Sequence, residues 1–326
     1  MRTFRSRPAP RLRLLTAALT GLAAATCLGL AGAAPTQATP SATPSADSSA
    51  PSAAADDPAG PRQDGFLPAL AYSALHPTAV PTGANDWNCR PSAGHPRPVV
   101  LVHGTFENRY ANWAGLAPRL KDAGYCVYAL NYGGGSTGPL MATGDIPTSA
   151  RQLASFVDRV RAATGAAKVD LVGHSQGGLL PRYYLKSLGG AAKVAKLIAL
   201  TPTKHGTSLW GLGLLAHLFP GGDAMMESSC PACRQQVTGS DFLNDLNAGG
   251  ETHPDVTYTV ITSRYDEVVT PYTSAYLAAS PNVSNLKVQD FCPADLTDHV
   301  DISYDPTATA LTLNALDPAH TQRPAC

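Results

Sequence analysis

A serine hydroxyl attacks a carbonyl only when a base takes its proton, and the base in turn needs an acid to hold its tautomer and steady its charge. Ser175 stands in Gly173-His174-Ser175-Gln176-Gly177, directly after the apolar run Val169-Asp170-Leu171-Val172. That run reads as a buried strand driven into a tight, strained turn, which requires small residues two places either side of the serine, and both places hold glycine. Such a turn lifts the hydroxyl off the sheet edge and points backbone N–H groups toward the attacked carbonyl.

In folds with this strand-turn-helix elbow, the acid and then the base follow the serine in sequence, on loops after later strands. Behind the strand-like run Val256–Ile261 comes Ser263-Arg-Tyr-Asp-Glu-Val-Val269, which offers Asp266 and Glu267. Asp266 lies nearer the strand and is the expected acid. His299 and His320 are the two histidines beyond it, and His320 sits in a Pro-rich tail. His299, in Thr297-Asp-His-Val-Asp-Ile302, is therefore the expected base. Taken singly, a lone His is an ordinary surface group; its order after Ser175 and Asp266 is what assigns it. His103 and His174 are expected to support loops beside the site. The tetrahedral oxyanion needs two N–H donors, expected from Gln176, after the nucleophile, and from Thr105, in the loop after the first long strand. Alone, His103-Gly104-Thr105 reads equally as a strand-ending turn. Gln176 is expected to act through its backbone N–H, so that replacing its side chain would largely spare the donor.

The elements that must hold these groups alternate. Strands are expected at Arg97–Val102, Tyr125–Leu130, Lys168–Gly173, Val194–Leu200 and Val256–Ile261. Helices are expected across 112–124, where Trp113, Leu116 and Leu120 share a face, across 147–164, with Leu153, Phe156, Val157 and Val160, and across 176–187. Residues 131–144, rich in Gly and polar groups, read as a loop. This alternation predicts an α/β chain with a mainly parallel central sheet covered by helices on both faces. Leu209–Phe219 is apolar nearly all round: too short to span a bilayer, it is expected as buried core or as a cap lining an apolar site, with core favoured.

The 326 residues, 44% hydrophobic, allow one large domain with a sizeable core. Arg2, Arg5, Arg7, Arg11 and Arg13 precede an apolar stretch from Leu14 to about Leu30 and then Ala31-Gly-Ala33, so residues 1–34 are expected to be a secretory signal peptide. Residues 35–62, nearly all Ala, Pro, Ser and Thr, are expected to form a disordered linker, and 63–326 the catalytic domain. The first 34 residues hold five Arg and no carboxylate, so the remainder carries 19 basic against 24 acidic residues, net −5, and no basic footprint for nucleic acid. Six cysteines remain beyond residue 34: Cys89, Cys126, Cys230, Cys233, Cys292 and Cys326. An even number in an exported chain favours disulfides, in any of 15 pairings. Cys230-Pro-Ala-Cys233 also fits a redox or half-zinc motif, but no second pair with ligand spacing accompanies it, and a local loop clamp is expected.

Val100-Leu-Val-His-Gly-Thr105, Gly173-His-Ser-Gln-Gly-Gly178, Thr201-Pro-Thr-Lys-His-Gly-Thr207, Tyr265-Asp-Glu-Val-Val269 and Asp298-His299 together resemble the secreted triacylglycerol lipases of the α/β-hydrolase fold, specifically the class 2 bacterial lipases. The chain is also similar to the yeast lipase B type, which lacks the elbow's first glycine that this chain has. The resemblance runs from about Cys89 to the C-terminus. It implies the α/β-hydrolase fold with a small cap or lid segment, and ester hydrolysis through an acyl-enzyme on Ser175, with Thr105 and Gln176 as oxyanion donors. It also implies disulfides Cys89–Cys126 and Cys292–Cys326, leaving Cys230–Cys233.

The expectation is a secreted, monomeric serine ester hydrolase of lipid or other apolar esters. It would make transient contact with a lipid–water interface, with no stable membrane insertion, no nucleic acid, no metal and no cofactor. A polyester hydrolase or acyltransferase using the same triad is the rival within the class. A non-catalytic hydrolase-fold binding protein of the cell envelope is the rival outside it.

Overall fold

The computed structural model describes residues 58–134, 139–324 and 326. The expected signal peptide, and the linker as far as residue 57, lie outside the described residues. The expected start of the folded domain at residue 63 is too late. Strand β1 (Ala59–Gly60) already pairs in parallel with β2 (Val80–Pro81), because Gly60 is small enough to lie against the ring of Tyr110.

Six further strands form one sheet: β3 (Val99–Val102), β4 (Val127–Leu130), β5 (Val169–His174), β6 (Val194–Leu200), β7 (Thr257–Thr262) and β8 (Val283–Lys287). Their order is β4-β3-β5-β6-β7-β8, and every neighbouring pair is parallel. A parallel sheet has both faces buried, and the core divides accordingly. Val100, Val102, Leu171, Leu197 and Val260 enter one apolar cluster, while Val99, Leu101, Val172, Ile198 and Ile261 enter the other. The alternation along each strand is the period of two that sends successive side chains to opposite faces.

The helices are α1 (Phe66–Leu75), α2 (Arg109–Trp113), α3 (Leu116–Asp122), α4 (Ile146–Thr164), α5 (Gln176–Ser187), α6 (Leu209–His217), α7 (Gly222–Ser229), α8 (Pro231–Gln235), α9 (Asp241–Asn247), α10 (Val288–Phe291) and α11 (Pro306–Leu316). Leu153, Val157 and Val160 of α4 and Leu179, Leu180 and Tyr184 of α5 cover the first face. Trp113, Leu116, Leu120 and Leu311 cover the second. α4 begins where Asp145 accepts from the Thr148 N–H and ends at Gly165, whose φ of 73° is the left-handed cap glycine tolerates best.

The single helix expected across 112–124 is two. Pro118 has no N–H to offer the Ala114 carbonyl, which accepts from Gln63 instead, and a Cβ on Gly115 would come within 2.6 Å of the Tyr304 ring. Asn108 starts the first helix by accepting from the N–H groups of Tyr110 and Ala111. Strand β8 has no counterpart among the expected strands. It is an edge strand of sequence Val-Ser-Asn-Leu-Lys, with too few apolar residues to show a pattern.

Three disulfides close the described chain: Cys89–Cys126 ties the approach to β3 to the start of β4, Cys292–Cys326 ties α10 to the last residue, and Cys230–Cys233 clamps the turn into α8. Among the described residues no helix is long and apolar enough to cross a membrane, and no group of three His, Cys, Asp or Glu is placed to hold a metal ion.

Candidate active site

The site forms at the carboxyl ends of the parallel strands. Val102 pairs with Gly173, so the loop after β3 and the turn after β5 emerge side by side. The turn is tight enough to forbid side chains at both flanking glycines. A Cβ at Gly173 would sit 1.9 Å from the Gly177 carbonyl oxygen, and one at Gly177 would sit 2.0 Å from that of Val102. Ser175 itself adopts φ 52° and ψ −120°, a conformation costing a non-glycine residue on the order of 1–3 kcal/mol. Its N–H donates to Leu200 at 2.9 Å and its carbonyl accepts from Gly178 at 2.9 Å, which holds the strained residue in place.

The structure brings Ser175, His299 and Asp266 together, all three buried. His299 Nε2 lies 3.0 Å from Ser175 Oγ, and its Nδ1 lies 2.9 Å from Asp266 Oδ1. The same carboxylate oxygen accepts from the N–H groups of Val268 at 3.0 Å and Val269 at 2.8 Å, which aims it at the imidazole. Glu267, the competing acid, accepts from the backbone N–H of His299 at 3.3 Å and leaves the ring to Asp266. Burial alone would depress the His299 imidazole, but the charge and hydrogen bond of Asp266, with Glu267 and Glu107 behind, bring the net shift upward from the ordinary value. His320 pairs with Asp317 on the exposed C-terminal segment, away from this cluster.

Gln176 opens α5, and among the described residues neither its backbone N–H nor that of Thr105 donates to another protein group. The Gln176 side chain is itself engaged. Its Nε2 donates to Thr105 Oγ1 at 2.9 Å and to the Ala142 carbonyl at 2.8 Å. Gln236, which the sequence pattern does not single out, donates from Nε2 to the same Thr105 hydroxyl at 3.0 Å while accepting from Thr203. With two amide donors on its oxygen, the hydroxyl of Thr105 has its own proton left to offer elsewhere. A Gln lying some 60 residues from Ser175 in sequence, just past a short helix, carries no local signal that would have exposed it.

His103 and His174 support loops in different ways. His103 donates from Nδ1 to the Gly104 carbonyl at 2.9 Å and stacks on Tyr132, and burial pushes its pKa down to about 4. His174 Nε2 meets the His299 carbonyl at 2.7 Å.

Helix α6 satisfies neither expectation alone. Gly211, Leu212, Leu215 and Ala216 are buried, whereas Leu209 is 66% and Trp210 75% exposed, with Leu214 and Leu218 on the same outer side. The two expectations overlap in this helix: one face joins the core, and the other presents apolar groups to the outside. Gly211 permits this docking, since a Cβ there would meet the Val268 carbonyl oxygen at 2.3 Å, and Thr207 Oγ1 donates to that same oxygen.

A family described as Lipase (class 2) matches residues 96–311. A triacylglycerol lipase of Pseudarthrobacter phenanthrenivorans is 39% identical over 116 residues, 34% of this chain and 32% of that protein. Lipase B of Pseudozyma antarctica is 30% identical over 217 residues, 62% of this chain and 56% of that protein. The chain thus spans between a third and somewhat over half the length of these curated relatives. The crystal structure of Aspergillus fumigatus lipase B superposes with a TM-score of 0.59 at 25% identity, covering 76% of this chain and 56% of that one. The parallel sheet with helices on both faces is the α/β-hydrolase architecture.

Proposed function

The chain belongs to the class 2 lipase family, and on that premise we propose that it is an exported serine hydrolase cleaving carboxylic esters of apolar acids, triacylglycerols among them. The observation that carries this reading is the unbroken line from Ser175 Oγ through His299 to Asp266, at 3.0 and 2.9 Å.

In the proposed reaction His299 Nε2 takes the Ser175 proton as Oγ attacks the ester carbonyl. Asp266 holds the proton on Nδ1 and offsets the imidazolium charge that develops. The oxyanion is received by the N–H groups of Thr105 and Gln176, each worth roughly 2.7–4 kcal/mol in comparable sites. His299 then protonates the departing alcohol, leaving the acyl group on Ser175. A water activated by the same imidazole releases the acid and restores the serine. No step requires a metal or an organic cofactor.

The outer face of α6 supports transient contact with a lipid–water interface. The disulfides support export, with residues 1–34 removed as a signal peptide, and the mature enzyme is taken to act as a monomer. Ser175→Ala is the direct test: purified variant and parent are compared on a soluble p-nitrophenyl ester and on emulsified triglyceride, with fluorophosphonate labelling of the parent. Loss of turnover in the variant and labelling of the parent at Ser175 are expected. Turnover surviving in Ser175→Ala would overturn the reading, and an unlabelled, inactive parent would favour the binding-protein alternative.

A further inference from the structure

Behind the reacting groups lies a second buried cluster that the proposed chemistry does not use. His174 Nε2 is 2.7 Å from the His299 carbonyl oxygen, and because a carbonyl only accepts, this nitrogen carries a proton. The other ring nitrogen, Nδ1, lies 3.1 Å from Glu107 Oε2 and 3.2 Å from Asn112 Nδ2. Glu107 Oε2 and Asn112 Oδ1 each accept from the Gly104 N–H at 3.0 Å. Glu107, Asn112 and His174 are all at most 1% exposed. Glu107 Oε1 has no hydrogen-bond partner among the described residues, so the contacts of Oε2 are what hold this buried side chain. Gly104 must be glycine for the cluster to close: a Cβ there would meet Glu107 Oε2 at 2.9 Å, His174 Nδ1 at 3.1 Å and Ser175 Cβ at 3.2 Å.

The cluster therefore grips two loops at once. Through His174 it holds the main chain of His299, and through the Gly104 N–H it holds the residue next to Thr105. We propose that Glu107, Asn112 and His174 form a positioning unit that keeps the His299 loop and the Thr105 loop in register across Ser175. This rests on the reading of Ser175 as the nucleophile. None of the three touches the ester; they act chiefly by fixing the main chain on which the base and an oxyanion donor stand, beside the smaller upward effect of the Glu107 charge on His299. A misplacement of about 1 Å in such groups can cost on the order of 100-fold in rate.

Active-site titration separates this from a merely structural role. A fluorophosphonate reports how many sites react and how fast each does so, beside kcat and KM on a soluble p-nitrophenyl ester. His174→Leu, which removes the donor to the His299 carbonyl, is expected to lower kcat and the labelling rate per site by about 10- to 100-fold with KM little changed. His174→Gln, whose amide N–H reaches the same carbonyl, is expected to recover most of that rate. Glu107→Gln, close in shape to the parent, is expected to slow each site in the same direction, and it stays readable if His174→Leu does not accumulate. Fewer labelled sites reacting at the parental rate would overturn the proposal, as would His174→Gln being as slow as His174→Leu. A parent that does not label at all would instead overturn the Ser175 reading beneath it.

Discussion

On the proposed mechanism, replacing Asp266 by Asn should slow ester hydrolysis without inverting the tautomer of His299. In this chain one carboxylate oxygen, Oδ1, takes all three donors: the His299 ring and the N–H groups of Val268 and Val269. Oδ2 has no hydrogen-bond partner among the described residues. An asparagine can therefore keep its carbonyl oxygen at the Oδ1 position and put its NH₂ where Oδ2 stood, leaving Nδ1 a donor. What disappears is the charge. At about 4 Å in an effective dielectric near 20, an imidazolium–carboxylate pair is worth about 4 kcal/mol. Its loss from the transition state corresponds to about 10³-fold in kcat. A tautomer-inverting substitution in serine proteases costs about 10⁴-fold. The acid limb adds a second signature. Catalysis needs His299 neutral, and in the parent the net shift of its pKa is upward despite burial, Asp266 being the main raising influence. The parent should therefore lose activity as pH falls through a value above the ordinary imidazole one. In the Asp266→Asn variant the burial effect remains and the main upward influence is gone, so the midpoint should move to lower pH while the plateau drops. The assay is kcat/KM for a soluble ester from neutral into acid pH. An acid limb that stays in place, or moves upward, would refute the argument that charge rather than tautomer is what Asp266 contributes.

Gln176→Leu should lower kcat at least about tenfold although the backbone donor survives, because Thr105 Oγ1 and the Ala142 carbonyl both lose the amide that aligns them; unchanged kcat would mean that the side chain is indifferent. Gly177→Ala should destabilise by about 3 kcal/mol or more, since its Cβ would lie 2.0 Å from a backbone oxygen. Gly213→Ala, in α6 with nothing within 4 Å, should instead stabilise by up to about 1 kcal/mol, both read by denaturant unfolding. On the loop-entropy account, replacing the Cys89–Cys126 pair, 37 residues apart, by serines should cost about 4 kcal/mol. Replacing Cys230–Cys233, three residues apart, should cost about 1.5 kcal/mol, and equal losses would count against that account.

The strands that carry the site were legible because a parallel sheet buries both faces. β3, β5 and β6 are short β-branched or leucine-rich runs that end abruptly at Gly, His or Thr. Ser175, Asp266 and His299 were legible as an order along the chain. The preference for Asp266 over Glu267 rested only on nearness to the strand, whereas in the folded molecule the choice follows from which carboxylate meets Nδ1. The break between α2 and α3 needed knowledge of Gln63 and Tyr304, residues far off in sequence that occupy the Ala114 carbonyl and the space beside Gly115. β8 hid because an edge strand with Ser, Asn and Lys shows no period of two. Gln236 and Glu107 were silent for a common reason: their partners come from other segments, and a polar residue does not announce a buried partner. Leu209–Phe219 divides between core and outer surface because composition counts apolar residues without saying which face has something to lie against.

The close approach of Gly211 to the Val268 carbonyl joins α6 to the loop that carries Asp266. Val268 is held from the α6 side by Thr207, and on its other side its N–H supports Asp266. The first turn of α6 and the loop that carries Asp266 therefore share the Val268 main chain as a common support. For chimeras, α6 is not an interchangeable module bounded by its own ends. A graft that imports residues 208–240 from a relative brings its own residue 211 and has to be matched to Thr207 and Val268, which meet that position from outside the span.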